Sequence, residues 1–429
     1  MIRRKKMCTA VAGALALVGT SAAHAELSWK AGDWDLSFSG NVNGFATFVD
    51  CDNNPTTVAG GLACNGTSQD EQNIESGLLP SALVFSAKTR QMDFDISVTL
   101  GFYPGLNDTN PGAGKTGIGS TQIDMRQNFL TFGDKSWGTI KVGRDLGIFA
   151  SDAILSDMTL LGVGSGAAFL GGNTTLGRIG AGYIYADWIP QITYWSPNFN
   201  GFQFAGGIFQ GFDYVAFSGH PSTATLTKHD ELGFQAKLTY DWGNVGGTSG
   251  RLWLGGMTQK VKASASDFAP PGAKVDGRGM DVGAKVALGG FEAVGYYYNA
   301  KGLGTTAIGF DGAAYVGGTC TGPGGTPPCT GGTVDERDSD GYYLQATYTF
   351  GKPKLGVSYG ESRLDLAGNE SVATSGTLVK KNKSWVVGMY YGLTKSLNLV
   401  AEYINTEAEA HNGVKNKDDA VALGAILFF

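Results

Sequence analysis

The stretch from Trp34 to Phe48 alternates apolar and polar residues over more than a dozen positions. Its apolar positions share one parity, with Gly40 and Gly44 among them, and are Trp34, Leu36, Phe38, Val42, Ala46 and Phe48. The other parity carries mainly Asp, Ser, Asn and Thr. Because side chains of a β-strand point alternately to its two faces, this stretch predicts a strand with one apolar and one polar face.

The predicted strand is too long for an ordinary soluble sheet, whose strands usually have about five or six residues. Fourteen steps of roughly 3.3 Å, tilted by about 40°, rise about 35 Å, which exceeds the apolar band of about 25 Å that a membrane β-barrel presents to lipid. Trp34 and Phe48 would then lie near the two membrane interfaces, where aromatic residues are enriched. For this stretch alone, a long hairpin of a soluble protein is the alternative.

The same alternation recurs along the whole chain, in segments 94–102, 232–240, 280–288, 342–350, 385–391 and 421–429. No protein core would be large enough to cover an apolar face of this extent, whereas lipid would cover it. Long polar segments separate pairs of these strands and are 50–76, 104–121, 146–187, 213–229, 264–278, 302–338, 364–382 and 406–418. Seven short turns lie between them, so the pattern predicts sixteen strands.

This arrangement predicts an all-β protein: a closed 16-stranded antiparallel transmembrane β-barrel in one domain. Glycine accounts for 67 of 429 residues, about twice the usual share, and long runs with helical periodicity are absent. After residue 25 no apolar run approaches the length of about 18 residues that a membrane-spanning helix needs. Composition and patterning therefore both favour strands over helices.

The N-terminus has the pattern of a secretory signal peptide. A basic cluster at positions 3–6 precedes an apolar run at 10–18 and the small-x-small site Ala23-His24-Ala25. We therefore expect a signal peptide at 1–25, cleavage before Glu26, and a barrel domain at 26–429. Cleavage removes four basic and no acidic residues, which changes the formal net charge from −6 to −10. This charge argues against nucleic acid as a partner and favours cations near a channel mouth.

Four cysteines remain after cleavage, in two close pairs within Gly-, Pro-, Thr- and Asn-rich segments. An even count in an exported chain predicts two local disulfides, Cys51 with Cys64 and Cys320 with Cys329. A metal site is the alternative interpretation. It is disfavoured because neither pair has the close spacing or the nearby histidines of zinc sites.

Three other motifs partly match patterns for nucleotide binding, calcium binding or catalysis, but none has the full pattern. TNPGAGKT, at 109–116, resembles a phosphate-binding loop, but Thr109 replaces the first glycine and no flanking strand and helix are evident. DERDSDG, Asp335 to Gly341, could supply carboxylates to calcium but lacks the spaced ligand pattern, so we favour a solvated acidic loop. His220, His229 and His411 lie in separate segments with no nucleophile pattern beside them. We expect no cofactor, no metal and no catalytic residue.

Several segments resemble Gram-negative general porins. IKVGRDLGIF is similar to the strand that leads into the third loop of these proteins, and ITYWSPNFNGFQFAGGI to the hairpin that follows it. YYLQATYTFGKPKLGVSYG and GMYYGLTKSLNLVAEY resemble later hairpins, and Phe429 the C-terminal aromatic residue that serves as an assembly signal. The resemblance covers most strands and little of the loops. The ending ALGAILFF lacks the basic residues that many relatives carry, which indicates a divergent member.

This resemblance implies a homotrimeric diffusion channel in the outer membrane of a Gram-negative bacterium, with lipid, small solutes and ions as partners. It also implies that the third loop, 146–187 here, folds into the lumen and narrows it. Asp152 and Asp157 would then supply negative charge to the constriction.

The basic wall facing these carboxylates has three candidates: Arg126, Arg144 and Arg178. Period-two counting places Arg126 inward, together with Asp124 and Asn128. The same counting places Arg144 outward, on the face of Ile140 and Val142, whereas the resemblance places an arginine of this motif on the pore wall. A bulge at Gly143, or the end of the strand, would redirect it.

The function predicted from the sequence is passive diffusion of small hydrophilic solutes and ions, with a preference for cations. Under a loose alignment two basic wall positions of the family fall at Asn41 and Ala82, which leaves a less positive constriction. A substrate-selective channel with a binding constriction is one alternative. An outer-membrane enzyme or a surface adhesin is the alternative from a different class.

Overall fold

The structure, a computed structural model, describes residues 27–52, 54–65, 70–108, 121–166, 169–170 and 174–429. The predicted signal peptide at 1–25 and the motif at 109–116 lie outside the described residues, so both stay predictions. Within the described ranges, no helix has the length and apolar character needed to cross a membrane.

Strands make up most of the chain. In order they are β1 (Leu27–Ala31), β2 (Trp34–Cys51), β3 (Glu71–Glu75), β4 (Ala82–Gln91), β5 (Phe94–Asp108), β6 (Thr121–Asp134), β7 (Gly138–Leu146), β8 (Phe169–Leu170), β9 (Thr174–Thr175), β10 (Trp188–Trp195), β11 (Phe202–Phe209), β12 (Gly233–Val245), β13 (Thr248–Lys262), β14 (Lys274–Leu288), β15 (Phe291–Lys301), β16 (Ala313–Cys320), β17 (Cys329–Glu336), β18 (Asp338–Thr349), β19 (Pro353–Leu364), β20 (Val379–Gly392), β21 (Leu397–Ala410) and β22 (Lys415–Phe428). Two short helices, α1 (Ser151–Ser156) and α2 (Val372–Ser375), and two 3₁₀ turns, Met158–Leu161 and Pro323–Gly325, lie in the connections.

The wall is a closed antiparallel barrel of sixteen strands, as the sequence predicts. Closure occurs where β2 pairs with β22, in the register Val42 opposite Leu427. β3 and β4 are two pieces of one wall strand, since both pair with β2. β1 pairs with the opposite edge of β2, the edge that β22 also uses, and lies beyond the end of β22. The backbone of Phe429 completes the seam through two hydrogen bonds with Gly40, of 2.8 and 3.0 Å.

The alternation predicted from the sequence appears as two different sides of the wall. The outer side is apolar and exposed, and its members include Val42, Phe48, Leu238, Leu254, Val282, Leu344, Val357, Val387 and Leu423. On β2 the inner side carries Asn41, Asn43 and Thr47, all buried. The prediction that the Trp34 parity faces outward and the polar parity inward is therefore confirmed.

The inner side is not polar throughout, because the connection 147–187 packs against part of it. Residues of the connection 147–187 pack against inner-side residues of β13, β15 and β18 in a single hydrophobic cluster. The connection contributes Phe149, Ala153, Ile154, Leu176 and Ile184, and the strands contribute Trp253, Val294, Tyr296, Tyr298 and Tyr343. Burial of these side chains stabilises the fold by the hydrophobic effect, so apolar residues are tolerated on both parities here.

The second wall strand is interrupted between β3 and β4, and residues 76–81 leave the wall toward the connection 147–187. The backbone N–H of Leu78 donates to the carbonyl of Gly162 at 2.9 Å, and that of Thr175 donates to the carbonyl of Gly77 at 3.2 Å. A Cβ at position 77 would lie 2.2 Å from the Gly162 carbonyl oxygen, so only glycine permits this approach.

Several long polar segments predicted as loops are partly strand, among them 50–76, 264–278, 302–338, 364–382 and 406–418. β20 begins at Val379, and only residues 411–414 separate β21 from β22, whereas we expected loops at 364–382 and 406–418. The charged residues of these segments alternate in the same register as the membrane part, and the backbone hydrogen-bond ladder continues through them. The prediction was wrong at these ends because charge was taken to indicate a loop.

Both predicted disulfides are present. Cys51 is bonded to Cys64 and Cys320 to Cys329, at Cα–Cα distances of 5.6 and 3.9 Å. The second bond closes the hairpin of β16 and β17, which pairs outside the barrel sheet.

Arg337 joins three long connections in a buried polar network, which corrects the expectation of a solvated acidic loop at 335–341. Its guanidinium donates to both oxygens of Glu370 at 2.8 Å each, and the side chains of both residues are fully buried. It also donates to the Thr223 hydroxyl and to the Asp311 carbonyl. Burial alone would raise the pKa of Glu370. The hydrogen bonds and charge of Arg337, together with hydrogen bonds from Ala367 and Ser375, outweigh burial and lower this pKa to about 2.

We expect this network to weaken in acid. Because the pKa of Glu370 is lower in the folded protein, its contribution to stability is complete above the unfolded pKa of about 4.3 and is lost as pH falls toward 2. The pH-dependent part of this contribution, relative to the protonated carboxyl, is on the order of 3 kcal/mol. The protection of the connections 210–232 and 365–378 against hydrogen exchange, measured relative to the intrinsic rate at each pH, should therefore fall between pH 5 and pH 2.

A Glu370→Gln variant is the control for this prediction, since its protection against exchange should already be reduced at pH 5 and change little further down to pH 2. His220, beside Arg337, has a pKa lowered first by burial and then by the Arg337 charge, which moves its protonation toward this pH window. Equal acid sensitivity in the variant and the wild type would show that another group controls the connections.

Loss of either disulfide should affect the loops and leave the barrel intact, because both bonds lie beyond the membrane part of the wall. The closed loops span 13 and 9 residues in sequence, for which chain entropy predicts about 3 kcal/mol of local stabilisation. Paired Cys→Ser variants should be cleaved faster by protease in the loops, with the barrel melting temperature unchanged. A melting temperature that falls with the disulfides would contradict this assignment.

Candidate pore constriction

The connection 147–187 leaves the wall after β7 and returns to it at β10. Its ends are joined where the Gly147 N–H donates to the carbonyl of Asp187 at 2.8 Å. Between these ends α1 and the turn Met158–Leu161 are short, and most of their side chains are buried. The two ends of the segment therefore meet at the wall, and contacts with other parts of the protein set the position of the residues between them.

Asp152, on α1, forms ion pairs with two inner-side cations. Its carboxylate lies 2.5 Å from Lys237 Nζ on β12 and 2.9 Å from Arg251 Nη1 on β13. Asp152 itself is only 2% exposed. Burial would raise the pKa of Asp152, but the charges of Lys237 and Arg251 outweigh burial and lower this pKa, so the group is ionised.

Asp157 and Arg178 are brought together inside the segment. Asp157 accepts hydrogen bonds from the Thr159 N–H at 2.9 Å and the Tyr183 hydroxyl at 2.8 Å. Arg178 is 1% exposed and donates to the Ser384 carbonyl on β20 at 3.1 Å. Burial raises the pKa of Asp157 and lowers that of Arg178, and the attraction between the two charges opposes both changes. Neither side chain presents its charge to solvent.

Polar side chains of the inner side hold the backbone of the segment at three further points. The Glu402 carboxylate on β21 accepts the N–H groups of Val163 and Gly164 at 2.8 and 2.9 Å. On β18, Gln345 accepts the Met158 N–H at 2.7 Å, and the Tyr343 hydroxyl donates to the Ala153 carbonyl at 2.8 Å.

Sequence reasoning missed these three wall residues and also Lys237 and Arg251. Their inward parity could have been counted, but their partners lie 85 to 239 residues away in the chain. No local signal joins residues that far apart.

Arg126 lies inward, as predicted, at a bulge. Gly101 pairs with Gln127 and Phe102 with Met125, which leaves Arg126 as the extra residue of β6. Its guanidinium donates to Asp124 at 2.9 Å and lies 5.4 Å from the ring centre of Tyr103.

The bulge corrects one expectation. Asn128 is exposed and does not share the side of Asp124, because the extra residue shifts the alternation by one position.

Arg144 stays on the face of Ile140 and Val142. It pairs with Asn128 on β6 and Pro190 on β10 without a register shift on either side, and both partners are exposed. Gly143 has a φ of 129° but does not redirect the strand. A place for Arg144 in the constriction stays a prediction, which this register disfavours.

Lys141 was not singled out from the sequence, although it lies inward on the same strand. It forms an ion pair with Asp145 and lies 5.4 Å from the ring centre of Trp195. Lys237 lies 5.5 Å from the same ring. Trp195 thus stands between two ammonium groups, each of which is neutralised by an aspartate.

The inner side and the connection 147–187 together bring cations and carboxylates into pairs. Within the described residues no group of His, Cys, Asp and Glu is arranged to hold a metal ion. This pairing of charges suits a polar passage that runs beside the connection 147–187.

Comparison with known proteins agrees with this architecture. A family model described as Gram-negative porin matches residues 9–411. No curated protein matches the chain by sequence.

Solved structures share the fold at low sequence identity. The outer-membrane channel DcaP of Acinetobacter baumannii aligns with a TM-score of 0.67 and 15% identity, over 94% of this chain and 99% of that one. OmpF of Salmonella typhi aligns with a TM-score of 0.54 and 13% identity, over 94% and 100%. The trimer form of OmpT of Vibrio cholerae aligns with a TM-score of 0.51 and 13% identity, over 92% and 99%. A matched family model over nearly the whole chain, together with the closed sixteen-stranded barrel, shows that this chain belongs to the Gram-negative porin family and forms a passive channel of the outer membrane.

Proposed function

We propose that the channel passes small hydrophilic solutes and ions with a preference for cations, and that the connection 147–187 narrows its lumen. The observation that carries the proposal is the contact of Asp152 with Lys237 and Arg251, because both cations belong to the inner side of the wall. A segment that such contacts hold against the inner side occupies part of the cross-section of the lumen.

Within this proposal four of the five predicted residues have roles, and Arg144 has none. Asp152 and Arg126 lie where inner-side charges meet the segment, because the partners of Asp152 are cations of the wall. Asp157 has its partners within the segment and attracts Arg178, so these two suit a structural role in holding its shape. We propose that Lys141, Lys237 and Arg251 complete the charged lining.

The cation preference is proposed from the formal charge of −10 that remains after the predicted cleavage. The lining near Asp152 is closely balanced, so the preference should be modest. The family and fold are those of a channel, and we propose no catalytic step.

We further propose that the protein assembles as a homotrimer in lipid after removal of residues 1–25. The support is the trimer form described for OmpT, whose fold this chain shares.

Channel formation is tested by reconstituting the purified protein in a planar bilayer with a salt gradient. We expect stable stepwise conductance and a reversal potential of the sign for cations, with little change when candidate solutes are added in competition. Absence of conductance would overturn the proposed function. An anion-selective reversal potential would overturn the cation preference alone, and a solute that blocks current would favour a selective channel.

Replacing Asp152 by Asn should lower the cation preference. The change leaves Lys237 and Arg251 with one uncompensated positive charge, which at about 8 Å in water alters the energy of a passing ion by about 0.5 kcal/mol, a factor of about two in permeability ratio. Because the group lies in a narrow, partly desolvated region, the effect should persist in concentrated salt. Reversal potentials at low and high salt measure it.

Two variants control this measurement. Lys237→Gln removes a cation and should shift the ratio in the opposite direction, while Asp213→Asn removes an exposed loop carboxylate and should act only at low salt. If the Asp152 and Asp213 variants behave alike at high salt, the constriction is built from other residues.

A further inference from the structure

Three neighbouring strands bring a lysine, a glycine and an aspartate into one row on the inner side of the wall. Lys237 on β12 pairs with Gly255 on β13, and Gly255 pairs in turn with Asp281 on β14. A Cβ at position 255 would lie only 2.1 Å from Asp281 Oδ1. The Asp281 carboxylate therefore lies over the unsubstituted backbone of Gly255 and is directed along the row toward Lys237.

The Lys237 ammonium group is held against Asp152 by contacts with α1. Its Nζ donates to the Ser151 hydroxyl at 2.9 Å and to Asp152 Oδ2 at 2.5 Å. The other carboxylate oxygen, Oδ1, accepts a hydrogen bond from Arg251 Nη1 at 2.9 Å. The nitrogen thus lies beside one oxygen of Asp152, while a fixed cation holds the other.

Asp281 is a second carboxylate at this pair, and the contacts described so far do not use it. It is 3% exposed, and within the described residues its Oδ1 has no hydrogen-bond partner. Its charge interacts with those of Lys237 and Asp152. A carboxylate that faces both members of an ion pair can accept a proton from one member and deliver it to the other.

Little water reaches this row. The side chains of Lys237 and Asp152 are 7% and 3% exposed. Trp253 and Met257, the inner-side neighbours of Gly255 along β13, are 2% and 7% exposed. Burial removes the hydration that stabilises an ammonium and a carboxylate as ions, and fixed contact replaces the encounter that two groups need in solution. These conditions favour a reaction between the two groups and slow its reversal by water.

We propose that Lys237 and Asp152 condense to an isopeptide bond that fastens the connection 147–187 covalently to the barrel wall. The Nζ–Cγ bond forms and the Cγ–Oδ2 bond breaks. The ammonium group loses two protons, which leave with Oδ2 as one water molecule, so atoms and charge balance without another reactant. Arg251 stabilises the negative charge that develops on Oδ1, and Asp281 carries the protons from Nζ to Oδ2.

A second ion pair on the inner side provides an internal comparison. Lys141 contacts Asp145, and their side chains are 15% and 3% exposed. Here the other carboxylate oxygen, Asp145 Oδ1, accepts a hydrogen bond from the Gln127 amide at 3.2 Å. An amide does not carry protons as a carboxylate does, so we expect this pair to remain ionic.

The test is the intact mass of the protein purified from the outer membrane, after reduction of its disulfides and denaturation. We expect the wild type to be lighter than its sequence by the mass of one water molecule. A protease digest should contain a branched peptide that joins Lys237 to Asp152, which are 85 residues apart in the chain. Lys237→Arg keeps the positive charge but lacks the amine, so it should have its full sequence mass.

Two further variants separate the roles of the neighbouring groups. Lys141→Arg is the matched control and should still lose one water molecule. Asp281→Asn keeps the shape of the side chain but cannot accept a proton, so it should slow the loss of water on the order of 100-fold when the mass is followed during refolding into detergent. Asp281→Glu should restore the reaction. Circular dichroism reports whether each variant folds, and if Asp281→Asn does not fold, Lys237→Arg and the digest decide the result.

A wild type at full sequence mass would overturn the proposal. A loss of water that persists in Lys237→Arg would also overturn it and would indicate dehydration elsewhere, such as a succinimide at an Asp-Gly sequence. Equal rates in Asp281→Asn and the wild type would overturn the role of Asp281. The bond uses the same contact as the proposed constriction, but it is read from the mass of the denatured chain and not from conductance, so either proposal can fail while the other stands.

Discussion

Closure of the sheet between β2 and β22 is the constraint on which the rest of the structure depends. Lipid offers no hydrogen bonds to the backbone, so every strand in the membrane needs a partner on both edges. The seam is carried to its end by Phe429, whose backbone is bonded to Gly40 and whose ring packs 5.6 Å from that of Phe38. Once the wall is closed, the strand period of two separates an outer side that meets lipid from an inner side that does not.

The inner side then has two environments. Where the connection 147–187 covers it, apolar residues such as Tyr296 and Trp253 are buried, and polar residues such as Glu402 serve as anchors for backbone N–H groups. Buried ionic pairs contribute little net stability, because desolvation opposes the attraction between the charges. The pairs of Asp152 are therefore better understood as fixing where the segment lies.

Polar interactions also order the chain beyond the apolar band, at the end of the barrel that carries the long connections. The Arg337 and Glu370 pair joins three connections above the wall. The cross-strand pair of Lys383 with Glu407 continues the strand ladder past the apolar band. In both places charged residues that resemble loop composition belong to ordered structure. The low identity to DcaP and OmpF is consistent with this: the barrel constrains the alternation, and many different loop sequences satisfy it.

The sequence by itself determined the barrel, its strand number, the side of each face and both disulfides, because these depend on local periodicity and on cysteines close in the chain. It also placed Arg126 inward, but it misplaced Asn128, because one extra residue at a bulge inverts the parity that follows and leaves no compositional trace. It singled out Asp152 and could not find Lys237 or Arg251, since which inner-side residues meet a 41-residue connection depends on how that connection packs. Only the tertiary structure decided that Asp157 and Arg178 are buried and that residues 406–418 are largely strand, because burial and strand pairing arise from contacts between segments that are remote in the chain.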